Sequence, residues 1–102
     1  MGNRKSRVET AIGRITLMED LFDKASVVLE KAKEDPDHFL AFQNEISKLE
    51  EYYSGRRWKT DFKLDEEGKL PSDLKRGVLS EDGIYDLLEK NRELLEEMKD
   101  KS

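Results

Sequence analysis

The sequence predicts an all-α fold, a three-helix antiparallel bundle with an ordered, partly helical connection between its second and third helices. Apolar residues recur at alternating spacings of three and four along three stretches, a period that places them on one face of a helix. Residues that start and end helices separate those stretches. Only 35% of the residues are hydrophobic and 42% are charged, but the periodicity and the four Phe, three Tyr and one Trp indicate a folded chain with a thin core.

The composition excludes several classes of function. A chain of 102 residues corresponds to one domain. Its net charge of −5 argues against general nucleic-acid binding, which requires a basic face. The absence of cysteine excludes disulfides, thiol catalysis and thiolate metal sites. No apolar run approaches the roughly 20 residues of a membrane span, so we expect a cytoplasmic protein with no membrane partner.

The first predicted helix covers residues 8–33 and follows a flexible basic arm of residues 1–7. Its outer face, which includes Glu19, is expected to lie in solvent. Its apolar seam, which should form one side of the core, consists of Ala11, Ile15, Met18, Phe22, Ala25, Leu29 and Ala32.

The second predicted helix covers residues 36–54. Asp35 is a suitable cap, Pro36 suits the first helical position, and Gly55 is a natural left-handed end. The short connection to helix 1 predicts an antiparallel hairpin. The seam of this helix consists of Phe39, Phe42, Ile46, Leu49 and Tyr53.

The connection over residues 56–79 is predicted to be ordered rather than flexible. A short helical turn is expected from Ser72 to Gly77. At roughly 25 cal/mol per Å² of apolar area, burial of the apolar side chains would contribute several kcal/mol and offset the entropy of ordering the segment. These side chains are Trp58, Phe62, Leu64, Leu70, Leu74, Val78 and Leu79.

The third predicted helix covers residues 81–100, with Ser80 as its cap. Asn91 falls on the apolar seam, where it would either fix the register of the bundle or hydrogen-bond the connection that crosses nearby. The seam consists of Ile84, Leu87, Asn91, Leu94 and Met98.

The favoured functional hypothesis is a non-enzymatic protein-interaction module that binds another protein or a second copy of itself. We find no catalytic motif, and we expect no cofactor and no metal. The candidate interaction face surrounds the only Trp and the basic pair at positions 75 and 76. It consists of Trp58, Asp61, Phe62, Lys75, Arg76, Tyr85 and Asn91.

Two other classes of function remain open at this point. A small-ligand or anion-binding protein, or a minor enzyme, would require Asp61, Asp65, Lys75 and Arg76 to converge in a cleft. A nucleic-acid binder would combine stacking on the Trp with phosphate contacts, although the rest of the chain is acidic and would repel a polyanion. The residues that it would use are Arg56, Arg57, Trp58 and Lys59.

The segment from Glu51 to Met98 resembles a small bacterial family, domain of unknown function 4298. Its pattern has Tyr52-Tyr53 at a helix end, then Trp58, Asp61-Phe62 and Asp65-Glu66. It continues with Gly68, Leu70-Pro71, Asp73 through Asp82, Leu87-Leu88-Glu89 and Asn91. The resemblance implies a small, helical, cytoplasmic bacterial protein, and it carries over no catalytic residue.

Overall fold

The computed structural model describes residues 6–100, and it is all-α over that range, without a strand. Five α-helices and one short 3-10 turn follow one another within these residues. They are α1 (Arg7–Glu30), α2 (Pro36–Ala41), α3 (Gln43–Ser54), α4 (Arg56–Glu66), the 3-10 turn (Gly77–Leu79) and α5 (Glu81–Asp100). The predicted flexible arm lies outside the described residues except for its last two positions.

The longest helix, α1, contacts every other helix and the 3-10 turn. Ser6 caps it, because the Ser6 hydroxyl accepts a hydrogen bond from the Glu9 amide at 3.1 Å. Its inward face carries the fully buried residues Ala11, Ile15 and Ala25, as the seam predicted. The helix therefore acts as the scaffold on which the rest of the chain packs.

The predicted second helix consists of two helices, α2 and α3, because the helical conformation is interrupted at Phe42. The Asp35 cap and Pro36 lie where the sequence placed them. At the break, the Gln43 side chain donates to the Phe39 carbonyl at 3.2 Å, the oxygen that a continuous helix would pair with the Gln43 amide. Tyr52, three residues after the buried Leu49, is buried in the core, whereas Tyr53, which the sequence placed on the seam, is only partly buried.

The predicted connection contains a true helix, α4, which begins at Arg56 directly after α3. Gly55 joins the two helices with extended backbone (φ −97°, ψ 179°), so the prediction of a left-handed end was wrong. Glycine is favoured there for another reason, since a Cβ would lie in tight contact with the Glu51 carbonyl oxygen, at 3.0 Å. The helical turn expected from Ser72 to Gly77 is absent: one turn forms at 72–73, closed by the Leu74 amide donating to the Pro71 carbonyl at 3.2 Å, and a separate 3-10 turn follows at Gly77–Leu79.

The remaining chain closes the core of the molecule. Ser80 caps α5 as predicted, accepting from the Gly83 amide at 3.2 Å. The apolar side chains of α5 then pack with those of α1 and α3, and the 3-10 turn lies against α1, α4 and α5. The architecture thus has five helices where the sequence predicted three. No helix within the described range is long and apolar enough to cross a membrane.

Candidate functional site

A buried polar network joins α1, α3 and α4 through one carboxylate, that of Asp61. This side chain is 0% exposed. Arg14 donates to it with two nitrogens, Nε to Oδ2 at 2.8 Å and Nη2 to Oδ1. The Tyr52 hydroxyl donates to Oδ2 at 2.6 Å. Because both carboxylate oxygens are satisfied, the buried charge is compensated rather than left unpaired.

The ionisation of the two donors reflects this network. The pKa of Arg14 is raised above its ordinary value, chiefly by the hydrogen bond to Asp61, and partial burial opposes the shift. The pKa of Tyr52 is raised well above its ordinary value of about 10, first by burial and then by its hydrogen bond to Asp61. The network therefore keeps Arg14 charged and Tyr52 protonated.

This shift predicts that alkaline pH destabilises the protein through Tyr52. Above pH 10 the unfolded chain loses the Tyr52 proton while the folded chain keeps it, so the stabilising contribution is complete below about pH 10 and decreases above it. We expect Tyr52→Phe to reduce the slope of unfolding free energy against pH by up to about 1.4 kcal/mol per pH unit between pH 10 and 11. Urea unfolding at a series of pH values measures this slope.

Tyr53→Phe is the matched control for the alkaline experiment. The pKa of Tyr53 is also raised, first by burial and then by the charge of Glu81, but its hydroxyl does not donate to a buried carboxylate. We expect a smaller change of slope for this variant. Equal slopes in the two variants would contradict the assignment of the alkaline transition to Tyr52.

A second arrangement holds the 3-10 turn on the bundle through the peptide groups of Val78. Glu19 Oε1 accepts from the Val78 amide at 2.8 Å, and Trp58 Nε1 donates to the Val78 carbonyl at 3.0 Å. Glu19 is 8% exposed, so the prediction that it lies in solvent was wrong. Its carboxylate faces inward because the amide of a turn 59 residues away needs an acceptor there.

Trp58 also forms the centre of an aromatic cluster. Its ring stacks on Phe62 with a centroid separation of 5.1 Å, and Tyr53 meets it edge-on at 5.0 Å. Aromatic pairs in these geometries contribute about 0.5–1.5 kcal/mol beyond their buried area. Trp58 is thus a packing and hydrogen-bonding residue that fixes the first turn of α4 on the core.

An open groove of about 900 Å³ lies between α1 and α3 and extends to the start of α4. The beginning of α1 lies beside the end of α3, and the partly exposed side of Arg14 contributes to the groove together with Tyr52. Leu17, 68% exposed, stands on its α1 wall. The other residues that line this α1–α3 groove are Glu9, Thr10, Gly13, Met18, Lys48, Glu51, Gly55, Arg56 and Arg57.

The family of this chain follows from a comparison with protein-family models. The model described as "Domain of unknown function (DUF4298)" matches residues 15–101, which include both Tyr52 and Asp61. The chain belongs to this family. No curated protein and no solved structure matches the chain. Membership in DUF4298 confirms the resemblance carried by the segment from Glu51 to Met98, and it assigns no activity.

The structure of this DUF4298 chain does not present the predicted interaction face as one surface. Trp58, Asp61 and Asn91 are buried, and their polar atoms bond other parts of the chain. Lys75 is exposed, with its side chain at 82%, and Tyr85 is 52% exposed. The two remaining members, Phe62 and Arg76, are partly buried. Burial removes the centre of the predicted face, because internal hydrogen bonds and packing occupy those side chains.

Asn91 pairs with α3 rather than with the connection. Its amide and that of Gln43 exchange two hydrogen bonds, Gln43 Nε2 to Asn91 Oδ1 at 2.9 Å and Asn91 Nδ2 to Gln43 Oε1 at 3.0 Å. Reciprocal pairing satisfies both amides in a part-buried position. Asn91 therefore aligns α5 with α3 across the core, a role that the seam position alone left open.

The residues proposed for a ligand cleft do not converge. Asp61 is enclosed, while Asp65 forms an ion pair with Arg76, Oδ1 to Nη1 at 2.6 Å. Lys75 Nζ lies 3.9 Å from Asp23 on α1. Within the part of the chain that the structure describes, no group of three His, Cys, Asp or Glu side chains is placed to hold a metal ion.

The stacking residue of the nucleic-acid hypothesis, Trp58, is also buried. Trp58 is 6% exposed and has the aromatic cluster and Val78 as partners, so no base can stack on it. Arg56, Arg57 and Lys59 remain exposed. The residues that sequence reasoning missed are Arg14, Glu19 and Tyr52, whose roles depend on contacts with distant parts of the chain.

Proposed function

We propose that this protein is a non-enzymatic interaction module that binds an acidic amphipathic helix of a partner protein in the α1–α3 groove. The observation that carries the proposal is an exposed leucine, Leu17, beside two arginines that form no ion pair with any described residue. Leu17 and Met18 lie on the α1 side, and Arg56 and Arg57 lie at one end. Neither arginine forms an ion pair with any described residue, in a chain whose net charge is −5.

Charge complementarity selects an acidic partner. Of the four basic side chains that line the groove, Arg14 is paired with Asp61 and Lys48 with Glu45, so Arg56 and Arg57 are the two that can bind a partner's carboxylates, with Glu9 and Glu51 also on the lining. Arginine binds carboxylates in a bidentate manner, so the two free guanidinium groups suit Glu or Asp on the partner.

The dimensions of the groove suit a helix. Its α1 wall runs from Glu9 to Met18, about 13 Å at 1.5 Å per residue, which corresponds to two to three turns of a partner helix. An amphipathic helix can place its apolar face between two antiparallel helices and its charged residues at the rim. In this proposal α1, α3 and α5 act as a three-helix antiparallel bundle that keeps the groove open.

The proposal places this interaction in the cytoplasm of a bacterium. The family resemblance supports the bacterial origin, and the cysteine-free chain has no disulfide that would require an oxidising compartment. The compensated network around Asp61 supports a structural use of the charged residues instead of catalysis, because no described buried side-chain N or O atom lacks a hydrogen-bond partner.

Selection from a displayed library of 16-residue helix-forming peptides tests the proposal. We expect the enriched peptides to carry Glu or Asp beside an apolar stripe and to bind more weakly as salt is raised. In two-dimensional NMR spectra, they should shift the backbone amides of residues 9–18 and 48–57. The double variant Arg56→Glu/Arg57→Glu should weaken binding about tenfold, since each exposed charge pair contributes up to about 1 kcal/mol.

A charge-matched variant distinguishes a local effect in the groove from an effect of the protein's net charge on binding. Lys33→Glu/Lys90→Glu makes the same charge change at two exposed positions on other elements, and we expect it to alter affinity less than twofold. The substitutions at Arg56 and Arg57 place acids in the first turn of α4, where the helix dipole favours them, so folding is preserved. Peptides that perturb another surface, or equal effects of the two double variants, would overturn the proposal. So would a dimer in light scattering that the Arg56→Glu/Arg57→Glu variant dissociates, because a second copy would then occupy the groove.

A further inference from the structure

Neither a backbone angle nor a contact within the described chain requires glycine at position 13. It lies inside α1, and among the described residues only Gly68 has a positive φ. A Cβ built at Gly13 meets no heavy atom within 4 Å. Neither backbone conformation nor packing therefore excludes a larger residue. Glycine in the middle of a helix is unfavourable relative to alanine, because it loses more backbone entropy on folding.

The position of Gly13 in the α1–α3 groove offers an explanation for the glycine. It lies on the α1 wall one turn before Leu17 and beside Arg14. Removing the Cβ there exposes the α1 backbone to whatever occupies the groove. Glycine commonly marks a place where another backbone approaches closely, and the distance between packed helices depends on the side chains at the contact.

We propose that Gly13 is the crossing point at which the partner helix comes closest to α1. This inference rests on the proposed function and specifies the partner further. The partner helix carries a small residue, Gly, Ala or Ser, where it crosses Gly13. One turn along, a larger apolar residue packs against Leu17, and an acidic residue reaches Arg56 or Arg57. The cost of glycine to the free protein is offset only in the complex.

Opposite effects of one substitution on stability and on binding test this inference. Gly13→Ala should raise the melting temperature by about 3–6 °C, because it removes the helix penalty without a clash. It should weaken binding of the selected peptides about fivefold or more, and Gly13→Leu should weaken it further. Calorimetry measures the first effect and fluorescence anisotropy the second. Peptides selected against the Gly13→Ala protein should no longer favour a small residue at the crossing position.

Thr16→Ala is the control for helix propensity on the same helix. Thr16 is exposed, does not line the α1–α3 groove, and gains propensity on substitution. It should raise the melting temperature and leave affinity unchanged. If peptides bind the groove but Gly13→Ala does not weaken them, the crossing inference fails while the proposed function stands. If Gly13→Ala does not stabilise the free protein, glycine has an internal role and the inference also fails. If no peptide binds the groove, the proposed function fails and the inference with it.

Discussion

Asp61→Asn is expected to lower the free energy of unfolding by about 3–5 kcal/mol, a large share of the 5–15 kcal/mol typical of a small domain. The substitution keeps the shape of the side chain but removes the charge that two Arg14 nitrogens contact, and it turns an acceptor into a donor beside a guanidinium. It also weakens the acceptor of the Tyr52 hydroxyl. Equilibrium urea unfolding followed by circular dichroism measures the loss.

Asp65→Asn provides the comparison for this experiment. Asp65 also pairs with an arginine on a distant segment, but its side chain is 33% exposed and that of Arg76 is 28% exposed. We expect a loss of at most about 1 kcal/mol, because solvent screens this pair. Equal losses for the two variants would show that burial does not make the Asp61 pair special.

Replacing all three members of the network with apolar residues tests whether the stability of the protein depends on their charges. The triple variant Arg14→Met/Tyr52→Phe/Asp61→Leu leaves no unpaired polar group. It should recover most of the stability that Asp61→Asn loses. Such a recovery would mean that the network stabilises the fold only by compensating its own buried charges, and that these charges are not themselves required for stability.

Trp58→Ala is expected to cost about 3–5 kcal/mol, the other large effect in this protein. The substitution removes a side chain that is 6% exposed, dismantles the contacts with Tyr53 and Phe62, and leaves the Val78 carbonyl without its donor. Chemical denaturation followed by circular dichroism measures the loss. We also expect the Val78 and Leu79 amides to exchange faster with solvent, because the 3-10 turn loses one of its two attachments to the bundle.

Two further variants show which part of Trp58 matters. Trp58→Phe keeps an aromatic ring but removes the Nε1 donor, and should cost about 1–3 kcal/mol for the carbonyl left unsatisfied. Tyr85→Ala removes an aromatic side chain that is 52% exposed and should change stability by no more than about 0.5 kcal/mol. A loss at Tyr85 comparable to that at Trp58 would contradict the assignment of the stability to the buried cluster.

The residues that stabilise the fold are different from those that line the proposed binding groove. The contacts of Asp61 and Trp58 satisfy buried groups and hold α4 and the 3-10 turn in place. The groove residues Leu17, Arg56 and Arg57 contribute little to that packing, since each is exposed. Variants in the groove should therefore affect binding without unfolding the protein, which makes the proposed function separable from the fold by experiment.

The sequence by itself determined the features that depend on neighbouring residues. Helical periodicity predicted the all-α class and the inward faces around Ile15, Ile46 and Ile84, all of which are buried. The caps Asp35 and Ser80 were readable because each hydroxyl or carboxylate bonds an amide three residues later. Such interactions are local, so spacing along the chain is enough to specify them.

Only the tertiary structure decided which polar residues are buried. Asp61 meets Arg14 across 47 residues, and Glu19 meets Val78 across 59. A carboxylate in the sequence looks the same whether it is solvated or paired in the core, because the partner that compensates its charge comes from a distant segment. Tyr52 and Tyr53 lie three and four residues after Leu49, so helical spacing suits both, and only the packed structure shows that Tyr52 is the buried one. Those long-range contacts, and the groove that they leave between α1 and α3, exist only once the helices have packed.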